Sequence, residues 1–337
     1  MLLSKAFIGQ KAEELNFNRD TLEKVVRLTE ILNFLNTDTL TKDCLTLKGG
    51  TAINLTIFDL PRLSVDIDLD FTQNIGREEM LNVRESLKTT LQKYMNANGY
   101  DLSPKSKFPH ALDSFVFSYT NCGGVKDNIK VEINYSLRAH ILPAERVKAD
   151  VLGQTVEVRR LAKIELFASK IVALLSRTAP RDLYDIHNMI RQNIFPAEEK
   201  ELLKKSVVFY RALNDQAAET FDLSVIDSLR PYEIKTMLLP VIHRKEFVDL
   251  PLMKQTVKEY LSDLLIPTNE EQEFLRDFAN KRYSPEKLFF DTNILDRIRS
   301  HPMVEWKIAS AKNRGIDGNM KMENAEIENP HLNLLNY

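Results

Sequence analysis

The segment Arg62-Leu-Ser-Val-Asp-Ile-Asp-Leu-Asp-Phe71 carries aspartates at every second position from Asp66 to Asp70 in an apolar background. Successive side chains of a strand point to opposite faces. Ser64, Asp66, Asp68 and Asp70 therefore share one face, and Val65, Ile67, Leu69 and Phe71 the other. The apolar face can enter a core, and few other arrangements would accommodate both halves of the pattern. On the acidic face, like charges ~7 Å apart repel by about 0.6 kcal/mol in water and about 2.4 kcal/mol at an effective dielectric of 20. Folding must raise their pKa values or recruit a cation. An Asp-x-Asp strand suits Mg²⁺, which prefers carboxylate oxygens, keeps several waters and completes its shell with substrate phosphates.

About fifteen residues upstream, Leu45-Thr-Leu-Lys48 alternates like a short strand, and Thr51 to Phe58 reads as a helix with Ala52, Ile53 and Leu55 apolar. Gly49 and Gly50 lie at the junction. Glycine allows positive φ and close backbone approach, and the free N–H groups of a helix start favour an anion. Taken singly, Gly-Gly-Thr is an ordinary turn with an N-cap, and Asp-x-Asp on an edge strand is a solvated face. In this order and spacing they read as a phosphate cradle, with Thr51 adding a hydroxyl, that faces a metal site at Asp66 and Asp68.

The chain has 337 residues, 43% of them hydrophobic, enough for one large domain or two cooperating lobes. Its 46 basic and 48 acidic residues give a net charge of −2, which excludes a globally basic polymer-binding protein but not a basic cleft. Two cysteines, Cys44 and Cys122, are too few for a disulfide scaffold or a cysteine-rich zinc site. His110, His140, His187 and the other histidines form no metal-spaced pair. Without a signal-like start or a stretch of ~18 apolar residues, a cytoplasmic location with no membrane partner is expected.

Residues 1 to 36 read as helices, and Gly76 to Asn98 as an amphipathic helix closed by Asn98-Gly99. Ser114 to Thr120 and Ile129 to Ser136 read as strands around the turn Asn121-Cys-Gly-Gly124. The second strand puts Lys130, Glu132 and Asn134 on its polar face. After a short strand at Val156-Glu-Val158, composition turns helical. Leu161 to Ser176 has a broad apolar stripe, and Lys163, Lys170 and Arg177 recur every seven residues on roughly one side. Thr178 with Pro180 marks a helix start, with Asp182 and Asp185 on one face of its first turn, where acids are favoured by the dipole alone. Further helices are expected at about 197–213, 231–246, 251–264 and 268–281, and a weakly ordered tail after Ala311.

Gly49-Gly50-Thr51 followed by Asp66-Ile-Asp68 resembles the signature of the DNA polymerase β nucleotidyltransferase superfamily. More narrowly, Leu-Lys48-Gly-Gly-Thr-Ala with Arg62-x-Ser64-x-Asp-Ile-Asp-Leu is similar to the AbiEii/AbiGii toxin family, which includes the MenT toxins. Lys170 followed by Arg181-Asp182-Leu-Tyr-Asp185 resembles that family's second signature. The resemblance covers about residues 40 to 200, and the C-terminal third matches only in being helical.

The resemblance implies an α/β (α+β) fold, a polymerase β-like nucleotidyltransferase lobe with a small mixed sheet followed by a helical lobe that closes the cleft. The expected divisions are 1–155, 156–311 and a tail at 312–337. It implies Glu132 as a third carboxylate beside Asp66 and Asp68, acting in metal binding and in activating the attacking hydroxyl. It assigns Lys48, Gly49, Gly50, Thr51, Ser64, Lys170 and Arg181 to the nucleotide, and Lys170, Asp182 and Asp185 to catalysis. A lysine there would neutralise the triphosphate as charge develops on the leaving pyrophosphate. The implied function is the toxin of a toxin–antitoxin or phage-defence pair, with Mg²⁺ or Mn²⁺ as cofactor, a nucleoside triphosphate as donor, the 3′ end of tRNA as leading acceptor, and a cognate antitoxin. Two other readings stay open: nucleotidylation of a protein or of a small molecule such as an antibiotic, and a catalytically idle binding partner.

Overall fold

The computed structural model describes residues 4–214 and 220–316. The helices α1 (Lys5–Glu14) and α2 (Arg19–Thr37) open the chain, each started by a side-chain cap, from Ser4 and Asn18. Then come β1 (Leu45–Lys48), α3 (Gly49–Thr56), β2 (Asp66–Phe71), α4 (Arg77–Ala97), β3 (Asp101–Leu102), β4 (Leu112–Thr120), β5 (Lys126–Asn134), β6 (Glu145–Val151) and β7 (Gln154–Arg160). The seven strands form one mixed sheet in the order β3-β4-β5-β2-β1-β7-β6. Its centre places β2 antiparallel to β1 and parallel to β5. The expected mixed α/β fold is what the chain adopts, with β6 and the short β3 as strands the apolar pattern did not announce.

The remaining elements are α5 (Lys163–Arg177), α6 (Pro180–Arg191), α7 (Ala197–Leu213), the single turn α8 (Pro231–Glu233), α9 (Leu250–Leu264), α10 (Asn269–Ala279), α11 (Thr292–Ile298) and α12 (Pro302–Ile316). A helix through 231–246 does not form. After α8 the chain widens into a π-type turn at Ile234–Leu238, tightens at Leu239–Val241, and is extended at Ile242 before a turn at 244–245. Pro240 cannot supply a helical N–H, and Leu63 N–H donates to the Val241 carbonyl at 2.7 Å while Ile242 bridges Arg62.

The chain divides into two compact units. The first comprises the residues up to Tyr135, Pro143–Leu166 and Arg230–Asp249; the second Ser136–Leu142, Phe167–Leu229 and the residues from Leu250 onward. The expected cut between 155 and 156 would bisect β7, whose pairing with β6 from Val151↔Gln154 to Glu145↔Arg160 keeps the whole hairpin in the first unit. Of the tail, residues 312–316 continue α12, and residues 317–337 lie outside the described residues.

The first unit's core takes Ile67, Leu69 and Phe71 from β2, Phe115 and Phe117 from β4, and Val131 and Ile133 from β5, all at most 3% exposed. Buried polar groups fasten helices to this sheet. Asp113 of β4, 0% exposed, receives Arg84 of α4 through Nε and Nη2 and the Tyr135 hydroxyl at 2.9 Å. The same guanidinium donates to the carbonyls of Pro109 and His110 at 2.7 Å. Glu23 of α2 accepts the Cys122 N–H at the β4–β5 turn and pairs with Arg27.

In the second unit, Phe209 of α7 packs edge-on against Phe289 and the His301 ring. His301 is fully buried, and its Nδ1 accepts the Met303 N–H at the start of α12. Burial pushes its pKa down to about 4; neighbouring Arg138 adds to that, and the Ala139 carbonyl opposes it.

Two stability predictions follow from these contacts. Arg84→Met leaves buried Asp113 only the Tyr135 hydroxyl and Lys88 at 3.8 Å, so urea denaturation should show a loss of about 3–5 kcal/mol; Arg84→Met with Asp113→Leu should lose clearly less, because no buried carboxylate then lacks its guanidinium partner. For His301 the folded state disfavours protonation. Its contribution is complete above the ordinary value of 6.5 and is lost as pH falls from there to about 4, about 3 kcal/mol in all. His301→Asn, which keeps an acceptor for the Met303 N–H but does not titrate, should flatten that part of the pH–stability curve.

Candidate active site

The first unit brings both halves of the first signature together. In the β1–β2 register Lys48 lies opposite Asp68, and in the β2–β5 register Asp66 lies beside Lys130 and Asp68 beside Glu132. Parallel strands in register put residues of equal parity on one face, so the carboxylates of Asp66, Asp68 and Glu132 share it. Asp66 and Asp68 are partly exposed, whereas Glu132 is 6% exposed and its Oε1 lies 3.0 Å from Lys130 Nζ. Burial, then repulsion from Asp66 and Glu132, pushes the Asp68 pKa up to about 6 against the opposing pull of Lys48 and Lys130. This carboxyl group is short of positive charge.

The glycine junction packs directly on that carboxylate. Gly49 has φ +69°, and a Cβ there would lie 2.5 Å from Asp68 Oδ2. Only glycine fits the conformation and the space. Gly50 faces Arg62 and Ser64, with a Cβ position 2.6 Å from Arg62 Nη2 and 3.2 Å from Ser64 Oγ. Lys48 sits at the N-cap of α3 without capping it through its side chain, so the helix's first N–H groups are not closed off by that residue.

Two expected nucleotide contacts are placed differently. The Thr51 hydroxyl donates to the Asp66 carbonyl at 2.5 Å, which pins α3 to the start of β2 and commits its proton within the protein. Lys48 Nζ pairs at 2.6 Å with Asp70, which is 1% exposed, so the third aspartate of the alternation is a buried anchor. Sequence reasoning put Asp70 on the acidic face and Lys130 on the polar face of its strand, but gave neither a partner. The signal for Lys130 was its i, i+2 spacing from Glu132 on one strand face.

The second signature is gathered in the second unit. Lys170 of α5, 7% exposed, lies 2.7 Å from Asp182 and 3.2 Å from Asp185, both on α6 and at most 1% exposed. Arg177, not expected as a member, adds Nε to Asp182 at 2.7 Å. Burial would raise the Asp182 pKa, but Lys170 and Arg177 hold it well below the usual carboxylate range. Two carboxylates meet two cations, so the cluster is balanced internally. Arg181, on the same turn of α6, is partly exposed.

Among the described residues no three or more His, Cys, Asp or Glu side chains form a ready-made metal cage. The donor set nevertheless fits a divalent cation. Two hard oxygen ligands on one strand face, one with its pKa raised by burial and by its carboxylate neighbours, match a site that relies on water and substrate phosphate for its other positions.

The profile of a family described as nucleotidyl transferase AbiEii toxin, type IV toxin–antitoxin system, matches residues 33–298. The chain belongs to the AbiEii toxin family. It is thus a nucleotidyltransferase toxin of a type IV toxin–antitoxin system, and membership implies a cognate antitoxin. The AbiEii match runs well past residue 200, so most of the C-terminal helices belong to the family's own architecture and are not an unrelated appendage. No curated protein matches the sequence. Among solved structures, MenT4, a nucleotidyltransferase toxin from Mycobacterium tuberculosis H37Rv, superposes with a TM-score of 0.61 at 15% identity over 82% of this chain and 97% of that one. That likeness is one of fold. No helix among the described residues is long and apolar enough to cross a membrane.

The Gly49 geometry separates strain from site damage. Gly49→Ala and Gly99→Ala should each lose about 1–2 kcal/mol of stability from positive φ, since Gly99 has φ +79° but open space around it. Only Gly49→Ala should also lose nucleotidyl transfer, because its methyl group displaces the Asp68 carboxylate; melting curves run beside a transfer assay check both.

Proposed function

We propose that this toxin transfers a nucleoside monophosphate from a nucleoside triphosphate to the 3′ end of tRNA in a Mg²⁺-dependent reaction, with Mn²⁺ as the alternative cation. The observation that carries the reading is the register of β2 with its neighbours, which gathers Asp66, Asp68 and Glu132 beside the Gly49–Gly50 start of α3. The tRNA acceptor, like the cytoplasmic location and a role in phage defence, rests on the family resemblance alone.

In this reaction an acceptor hydroxyl oxygen bonds to the α-phosphorus, the bond from that phosphorus to the β-phosphate bridging oxygen breaks, and pyrophosphate leaves. A divalent cation held by Asp66 and Asp68, with Glu132 as the third carboxylate, would supply charge neutralisation at the phosphates. Glu132, one strand over and level with Asp68, would take the hydroxyl proton. Gly49 and Gly50 let backbone N–H groups approach the phosphates, a task side-chain-bearing residues would obstruct. Thr51 holds the Asp66 backbone, and Lys48, anchored by Asp70, lends positive charge opposite Asp68. Lys170, Arg181, Asp182 and Asp185 are proposed to serve the same reaction. Because Lys170 is balanced by two carboxylates, Lys170→Arg should keep the fold and Lys170→Met should cost stability as well as activity.

The test is a transfer assay with purified protein, Mg²⁺, total tRNA and each α-labelled nucleoside triphosphate in turn. Label should enter RNA with a preferred nucleotide, and Asp66→Asn with Asp68→Asn should reduce it by about 10²–10³-fold or more. Label on a protein or small molecule instead would replace the tRNA reading, and no turnover of any nucleotide would remove the catalytic one.

A further inference from the structure

The two lysines that flank the Asp66–Asp68 pair are tied to partners of different kinds. Lys48 is held by Asp70, a carboxylate 1% exposed that is no part of the proposed ligand set. Lys130 is held by Glu132, which is part of it, at 3.0 Å, with the two side chains 21% and 8% exposed. Lys130 also lies in register with Asp66, just as Glu132 lies in register with Asp68. Its ammonium thus stands on the strand face, and against the carboxylate, that an incoming cation would use. A nearly buried carboxylate without a partner is costly, and the Lys130 ammonium at 3.0 Å holds the Glu132 side chain in place.

We propose that Lys130 is a positioning residue that holds Glu132 in the resting enzyme and must give it up before Glu132 can serve a divalent cation or the acceptor hydroxyl. The inference rests on the reading of Asp66, Asp68 and Glu132 as the cation-binding carboxylates. Cation and lysine compete for one carboxylate group, so the resting site takes up metal weakly. A cation that arrives already bound to triphosphate brings additional oxygen ligands, and these offset the cost of parting the pair. Lys48 makes no such exchange, because its partner Asp70 is 1% exposed and outside the proposed ligand set.

A competition of this kind is non-additive, whereas the loss of a nearby positive charge acts equally whatever Glu132 is. The experiment is Mn²⁺ binding to the full-length protein without nucleotide, read from the electron paramagnetic resonance signal of free Mn²⁺ at fixed pH and ionic strength. The proteins are wild type, Lys130→Met, Glu132→Gln, the Lys130→Met/Glu132→Gln double variant and Lys48→Met. Circular dichroism confirms the fold of each, and the Mn²⁺-induced rise in melting temperature gives a second readout.

Lys130→Met should tighten Mn²⁺ binding by about tenfold in the presence of Glu132, within the range of coupling between paired charges. In the Glu132→Gln background it should tighten binding by about twofold or less, and Lys48→Met should resemble that weaker effect. An equal effect of Lys130→Met in both backgrounds, or weaker binding when Lys130 is removed, would overturn the positioning role. Adding Asp66→Asn and Asp68→Asn to Lys130→Met tests the underlying reading separately: Mn²⁺ binding must then disappear, and its persistence would place the cation elsewhere.

Discussion

Four carboxylates on two adjacent strands cannot all stay charged beside one another without cations, and the arrangement of the first unit's site follows from how that repulsion is met. Asp70 is buried and meets Lys48; Glu132 is nearly buried and meets Lys130. Asp68 is left without enough positive charge of its own, and its pKa rises to about 6, first through burial and then through Asp66 and Glu132. Neighbouring features conform to this. Position 49 must be glycine because the Asp68 carboxylate fills the space a side chain would need, and Thr51 is spent on holding the Asp66 backbone.

The second signature shows the opposite solution to the same problem. Asp182 is as thoroughly buried as any of these aspartates, yet its pKa falls, because Lys170 and Arg177 more than offset desolvation. Desolvation acts on both Asp68 and Asp182, and the neighbours separate them: two carboxylates beside Asp68, two cations beside Asp182. A carboxyl group short of charge is suited to recruiting a cation from solution. A balanced cluster is suited to fixing the orientation of its members, and Lys170 lies between Asp182 at 2.7 Å and Asp185 at 3.2 Å.

Much of this was legible locally. The period-two alternation of Asp66 to Phe71, the helix start at Pro180 and the span Ala197–Leu213 appear where the residues place them, because each depends on neighbours a few positions away. The helix expected at 231–246 gives way to short turns, because Pro240 lacks an N–H and Leu63, ahead of β2, pairs with Val241. The strand Glu145–Val151 escaped notice because an edge strand alternating exposed and buried residues carries little apolar signal.

By itself the sequence determined that Asp66 and Asp68 share a strand face, that two glycines precede a short helix, and that the chain resembles a nucleotidyltransferase toxin. Those are properties of spacing, and backbone geometry converts spacing into faces without reference to the rest of the fold. Only the tertiary structure decided that β5 lies beside β2 in a register that levels Glu132 with Asp68, that Asp70 turns from surface acid to buried anchor, and that Lys130 rests on Glu132. Strand order and register join residues more than sixty positions apart, and a shift of one residue would send every one of these side chains to the opposite face.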